Sequence, residues 1–265
     1  REVILAVIQT MTVLSPAVAP VIGALILRFT SWRGAFVAQA ILGVLVVVGS
    51  ALYTETVTEK LTGNPLASLK RLGVVAKDRA FISLILIFSL LGMAMMAFIS
   101  GSSYIYQEGF GVSSEAYSLF FAIFAVSAAA GAQLYVWLSR RWARDRIITW
   151  CFVLTAIGGL LVLLLGGRGP WAFILTYLPA PIAFSCSRPP AAHLMLSQHE
   201  GDSGSVAGIM SASHMAVSSI GMIVISLGLW DRVKLLGSLI LGLSVLTLVL
   251  WSIIGLPLSR AQART

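Results

Sequence analysis

The sequence predicts an all-α, polytopic membrane protein, and three observations predict it. Of its 265 residues 58% are hydrophobic and only 11% charged, against roughly a quarter charged in soluble domains, and the mean hydropathy is +0.95. The apolar residues gather into runs of about 20 or more, the length that a helix rising about 1.5 Å per residue needs to cross a bilayer core. None of the runs alternates polar and apolar over ~10 residues as a membrane β-strand does, and backbone left uncovered in lipid makes helices the economical structure.

Eight spans are expected, at 3–28, 34–53, 80–106, 115–138, 147–166, 171–193, 204–229 and 235–257. With an even number, both termini share a side with the loops 54–79, 139–146 and 194–203. That side carries twelve of the eighteen Lys and Arg residues: Arg1, Lys60, Lys70, Arg71, Lys77, Arg79, Arg140, Arg141, Arg144, Arg146, Arg260 and Arg264. The other side has Arg28, Arg33, Arg168, Arg232 and Lys234, and Arg188 falls inside a span. By the positive-inside rule both termini are cytoplasmic. The net charge of +8 therefore reports topology; the cations form no face or stripe suited to nucleic acid.

The first span contains SPAVAPVIGA, residues 15–24. Pro16 and Pro20 lack amide protons and crowd the carbonyls of Thr12 and Pro16, so the helix is bent or loosened there. Ser15, Ala19 and Gly23 recur every fourth residue and make a smooth face that another backbone can approach closely. The loop 54–79 is polar and mixed in charge, with Gly63, Asn64 and Pro65 as breakers, and divides two spans from six. A transporter built of six-helix halves then implies four spans in front of the chain. The expected division is 1–53 as the last two helices of an incomplete N-terminal half, 54–79 as a cytoplasmic central loop, and 80–265 as a complete six-helix C-terminal half.

Further along, Ser103, Tyr104, Tyr106 and Gln107 lie at the outer end of the third span, where they face either a cleft or the aromatic belt of the interface. The sixth span is broken by Pro179, Pro181, Pro189 and Pro190, as in helices that line transporter cavities. Arg188 within it is either functional, the default for a charge in a span, or snorkels to the surface. His214 lies eleven residues into the seventh span. It is either a proton relay or a bundle histidine bonded to Ser211 or Ser218. No span holds an Asp or Glu away from its ends, so proton coupling needs a carboxylate in other helices, or His214. Cys151 and Cys186 have no metal-binding spacing and read as unpaired thiols. No metal, cofactor or obligate protein partner is expected.

The residues then carry a resemblance. Ala19, Pro20, Val21, Ile22, Gly23 and Ala24 resemble the GPxxGG signature in the fifth helix of major facilitator superfamily drug:proton antiporters, with the two outer glycines replaced by alanine. SWRGAF (31–36) and TETV (54–57) are similar to the start and end of that family's sixth helix. FISGSSYIYQ and FGVSSEAYSLFFA look like the seventh and eighth helices of the Bcr/CflA, or bicyclomycin-resistance, branch. The resemblance covers the chain as helices five to twelve of twelve. It implies efflux of small amphiphilic substrates in exchange for protons, with alternating access, in a bacterial inner membrane.

It further implies that Ser15, Pro16, Ala19, Pro20 and Gly23 meet a facing small-residue stretch, Ser127, Ala130 and Gly131, as a seal between halves; a generic helix contact explains the same residues. WLSRRWARDR (137–146) resembles the second-half gating loop without its leading glycine, so Arg140, Arg141 and Arg146 pair with Asp145 or with helix ends to latch a state, or simply anchor the cytoplasmic side. The rival to a transporter is a truncated remnant that inserts and transports nothing. Enzyme chemistry is disfavoured: GDSGS (201–205) sits between apolar helices without an Asp-His pair, and neither a GxxxxGKT phosphate loop nor HExxH occurs.

Overall fold

The computed structural model describes residues 22–23, 25–52, 73, 77–198, 203–228 and 231–262, and among them every regular element is a helix. Helix α1, Trp32–Ala51, is apolar on all sides and buries none of its residues, the pattern of a span that meets lipid or other helices. Helix α2, Arg79–Ser103, starts where the Asp78 carboxylate accepts from the amides of Ala80 and Phe81 at 2.9 and 3.4 Å, a cap worth about 1 kcal/mol. It continues through a π-helical turn, Tyr104–Gly109. Gly111, at φ +67°, turns the chain into α3, Ser114–Leu138, capped by Ser113.

Helix α4, Arg144–Leu165, passes through a 3-10 turn and Gly169, at φ +142°, to Pro170. Proline suits the first turn of a helix because no amide is needed there. The next span comes in two pieces, α5 (Pro170–Tyr177) and α6 (Pro179–Leu196). Expected breaks at four prolines reduce to one joint at Leu178. Pro181 sits in the first turn of α6, where donors are spare, and Pro189 and Pro190 are accommodated inside a continuous helix. Helix α7 is Ser203–Ser226. Helix α8, Arg232–Leu250, is capped by the Asp231 carboxylate, and a second π-helical turn, Trp251–Gly255, leads to α9, Leu256–Gln262.

Among the described residues six stretches are long and apolar enough to cross a membrane: Trp32–Ala51, Arg79–Gly109, Ser114–Leu138, Arg144–Arg168, Ser205–Ser226 and Arg232–Ala261. They match six of the eight expected spans. The expected span 171–193 is the α5–α6 pair, interrupted at Leu178 and less apolar in its second piece. The expected span 3–28 and the loop 54–79 lie almost wholly outside the described residues.

From α2 onward the rods run alternately up and down, so Arg79, Arg144 and Arg260 gather at one end, the basic end of the bundle. Helix α2 lies along α7, α4 along α8, and α6 between α3 and α4. In lipid, apolar burial brings little solvent gain, and close backbone approach supplies the contact instead. A Cβ on Gly159 of α4 would come within 2.5 Å of the Leu241 amide nitrogen, and one on Gly237 of α8 within 2.7 Å of that of Leu163. The two helices thus seat on each other's glycines. Aromatic layers fill the rest. Tyr177 stacks on Phe98 with centroids 4.0 Å apart, Tyr106 on Phe120 at 4.7 Å, and Trp251 packs with Phe88 and Phe152 while its indole N–H donates to Thr149 at 3.0 Å. Cys151 and Cys186 are free, buried thiols.

Candidate functional site

The apolar packing leaves a polar opening between α2, α6 and α7. On α2, Ile85, Phe88 and Ser89 share a face by helical spacing. On α7, Met210, Ser211, His214 and Met215 do the same. Between them α6 offers Phe184, Ser187, Arg188 and Met195. Two adjoining hollows, of about 160 and 320 Å³, share Phe88, Arg188, Met195 and Met210 and form one cleft. Arg188 is eight residues from the end of α6 and His214 eleven from the start of α7, so at about 1.5 Å per residue the cleft lies roughly 12 to 16 Å in from the basic end.

Sequence spacing singled out Arg188 and His214 separately, and the fold brings them together. The His214 ring stacks on Phe184 with centroids 6.3 Å apart and planes at 22°, and the Arg188 guanidinium sits 5.8 Å from the same ring's centre. Phe184 thus holds both. Gly92 of α2 makes room for the imidazole, since a Cβ there would overlap His214 Cε1. The expected hydrogen bond from His214 to Ser211 or Ser218 is not formed, and the buried Ser218 hydroxyl has no partner among the described residues. Arg188 likewise has no hydrogen bond or ion pair among them. The cleft therefore offers free guanidinium, imidazole and hydroxyl groups between walls of Phe and Met, with no carboxylate in its lining among the described residues.

The other expected cleft residues do not gather at one opening. Tyr106 points into the bundle, fully buried against Phe120, Phe173 and Tyr117, continuing at i+4 and i+8 the inward face of Phe98 and Ser102. Gln107 donates to Ser103 at 2.8 Å and accepts from Ser114 at 2.9 Å, tying α2 to α3. Tyr104 is exposed and lies under the Arg232 guanidinium at 4.6 Å, and Arg232 pairs with Glu108 at 2.7 Å. These groups rim a hollow of about 630 Å³ at the end away from the cleft.

At the basic end the expected latch has different members. Arg140, Arg141 and Arg146 are exposed and make no ion pair with Asp145, and Arg141 rests on the Trp137 ring. Asp145 instead accepts from the Ser259 hydroxyl, and Arg144 reaches Ser259 at 3.3 Å and His193 Nδ1 at 3.2 Å. The first turn of α4 is thereby tied to the ends of α6 and α9. Of the small-residue faces, Ser15, Pro16, Ala19 and Pro20 lie outside the described residues, and helical Gly23 has open space around its Cα. Gly131 abuts the Ile182 carbonyl of α6 inside the bundle, Ser127 is buried, and Ala130 is exposed. The stretch expected to face helix five is thus divided, with Gly131 committed to α6. No group of three potential metal ligands occurs among the described residues.

Comparison with known proteins decides the family. The family model described as Major Facilitator Superfamily matches residues 1–222. The chain belongs to the major facilitator superfamily. Among its relatives is the MFS-type transporter YdgK of Bacillus subtilis, 29% identical over 130 residues, which are 47% of this chain and 32% of YdgK. The chloramphenicol resistance protein CraA of Acinetobacter baumannii is 30% identical over 117 residues, 44% of this chain and 28% of CraA. The matched segments thus span about a third or less of these relatives' length.

For a superfamily member the fold adds groups that sequence reasoning passed over. Arg144 and Ser259 meet across 115 positions of chain, with His193 beside them, and Glu108 meets Arg232 across 124. The RD pair in WARDR was visible; which of the basic residues around it faced inward was not.

Proposed function

We propose that the chain forms helices five to twelve of an efflux transporter that exchanges small amphiphilic molecules for protons across a bacterial inner membrane. The observation that carries the reading is the cleft at Arg188 and His214, a polar opening within the membrane-spanning length of a bundle whose surroundings are apolar. Membership of a transporter superfamily and a relative named for chloramphenicol resistance support export of drug-like molecules. Here 80–265 is the C-terminal half and 1–53 the end of the N-terminal half, joined by the loop 54–79. The excess of Lys and Arg at the basic end supports placing it, and both termini, in the cytoplasm.

In this reading substrate enters between halves, and rocking of the bundle opens the cleft to each side in turn. Phe88, Phe184 and the methionines hug an apolar body; methionine is flexible and polarizable enough to fit several shapes. Ser15, Ala19 and Gly23 seal against the other half, with Val126 and Ala130 of α3 as the exposed surface they would meet. Arg144, Asp145, His193 and Ser259 brace the cytoplasmic end of the half so that it moves as a unit. Protons are carried by a carboxylate outside these helices or by His214. Efflux from cells carrying the full-length gene, with and without an uncoupler, tests the reading. Uncoupler-sensitive efflux is expected. Efflux unaffected by the uncoupler removes proton exchange, and coupling unchanged in His214→Gln removes His214 from the proton path.

A further inference from the structure

Resting on the reading of the cleft as a substrate site, we propose that Arg188 selects its ligand: an aromatic or otherwise apolar molecule whose polar end is a carboxylate or a similar planar two-oxygen acceptor. Three observations meet here. Arg188 is the only formally charged residue lining the cleft among the described residues, and no Asp or Glu among them lines it. A cation entering therefore meets a like charge and, among the described residues, no counter-charge.

The second observation is the way the guanidinium is held. Phe184 lies within cation–π reach of it, its ring centre 5.8 Å from the guanidinium carbon, and the N–H donors of the guanidinium are not taken up by that contact. Those donors form a fixed fork that fits two oxygens in one plane, and no residue among those described accepts from it. The third is the setting of the rest. Ser89, Ser211 and His214 open into the same space, so a second acceptor on the ligand has partners, while Phe88, Met195 and Met210 receive the apolar body. A charge with no partner among the described residues, about 12 Å along a helix of the bundle, is costly to retain, and a ligand acceptor would supply that partner.

The test measures binding alone, on the full-length protein in lipid nanodiscs, with three probes of one shape: 2-naphthoate, 2-naphthamide and N-methylquinolinium. The wild type binds the carboxylate at least about tenfold tighter than the amide, as charge-assisted hydrogen bonds predict, and the cation weakest. Arg188→Gln brings carboxylate and amide within about twofold of each other while amide binding persists, which shows the cleft intact. Arg188→Lys keeps part of the preference, because an ammonium supplies charge without the fork. A carboxylate preference unchanged in Arg188→Gln overturns the proposal, as does a wild type that binds the cation best or none of the three. Failure of efflux with the binding preference preserved removes the transport reading and leaves this one standing.

Discussion

The contact between α2 and α7 gives the sharpest test of the packing, because glycines on the two helices meet different kinds of atom. A Cβ on Gly221 would overlap the Met93 carbonyl oxygen, and backbone has no rotamer by which to move away. Gly221→Ala must push the helices apart, an overpacking cost at the upper end of about 1 to 3 kcal/mol, offset by about 1 kcal/mol from alanine's better helix propensity. The net loss is about 2 kcal/mol. A Cβ on Gly92 would overlap only side chains, His214 and Ser218. Gly92→Ala turns the imidazole off Phe184, losing an aromatic contact of about 0.5 to 1.5 kcal/mol against the same gain, for a change near zero. Gly242 has nothing within 4 Å, and Gly242→Ala stabilises by up to about 1 kcal/mol. Equilibrium unfolding of the full-length protein in mixed micelles should therefore order the variants Gly242→Ala, Gly92→Ala, Gly221→Ala, with about 3 kcal/mol between the extremes. Gly221→Ala as stable as Gly242→Ala refutes the close approach. Gly92→Ala should also change ligand binding although its stability does not move, since it displaces His214 into the cleft.

Other expectations follow from the same contacts. Tyr106→Phe removes a buried hydroxyl that has no partner among the described residues, so stability holds or rises and ligand affinity stays unchanged; a large affinity loss would return Tyr106 to the substrate path. Ser259→Ala strips Asp145 and Arg144 of a shared partner and should cost about 1 to 3 kcal/mol in the same unfolding assay. Thr149→Val and Trp251→Phe each remove the indole hydrogen bond; a double-mutant cycle should return a coupling of about 1 kcal/mol, and strict additivity would show that the bond contributes nothing. Glu108→Gln should cost at most about 1 kcal/mol, because the Arg232 pair is largely exposed, and the cost should shrink as salt is raised.

The spans were legible because length and apolarity are local properties of a sequence. Asp78, Ser113 and Asp231 cap helices close to where the apolar runs begin, so their boundaries needed no tertiary information. The first departure is at the outer end of α2. Tyr106, near the end of its apolar run, reads as a cleft or interface residue, yet it continues the inward face of Phe98 and Ser102 and is fully buried. What receives its ring is Phe120 of α3 and Phe173 of α5, partners from distant parts of the chain that no local pattern reveals. Pro189 and Pro190 mislead in the opposite direction: in water they would break a helix, but neighbouring rods keep α6 continuous through them.

At the site, residue type was enough to nominate Arg188 and His214, because a cation or an imidazole inside an apolar run is rare and expensive. It was not enough to join them. They lie on α6 and α7, and what links them is Phe184, an apolar residue indistinguishable in the sequence from those that only pack. The latch shows the same limit more plainly. Arg140, Arg141, Arg144 and Arg146 crowd around Asp145, and any of them satisfies a charge-pairing argument. Only the direction in which α4 leaves its first turn puts Arg144 toward His193 and Ser259 while the other three face outward. If that direction sets the role, the four positions should not be equivalent although each substitution removes the same charge. Arg144→Gln should lower unfolding stability by about 1 to 3 kcal/mol, since it removes the guanidinium that bridges His193 and Ser259 and leaves Ser259 only its bond to Asp145, whereas Arg140→Gln and Arg146→Gln should each stay within about 0.5 kcal/mol. Equal losses at 144 and 146 would show that the number of cations near Asp145, and not the geometry of the first turn, holds the basic end together.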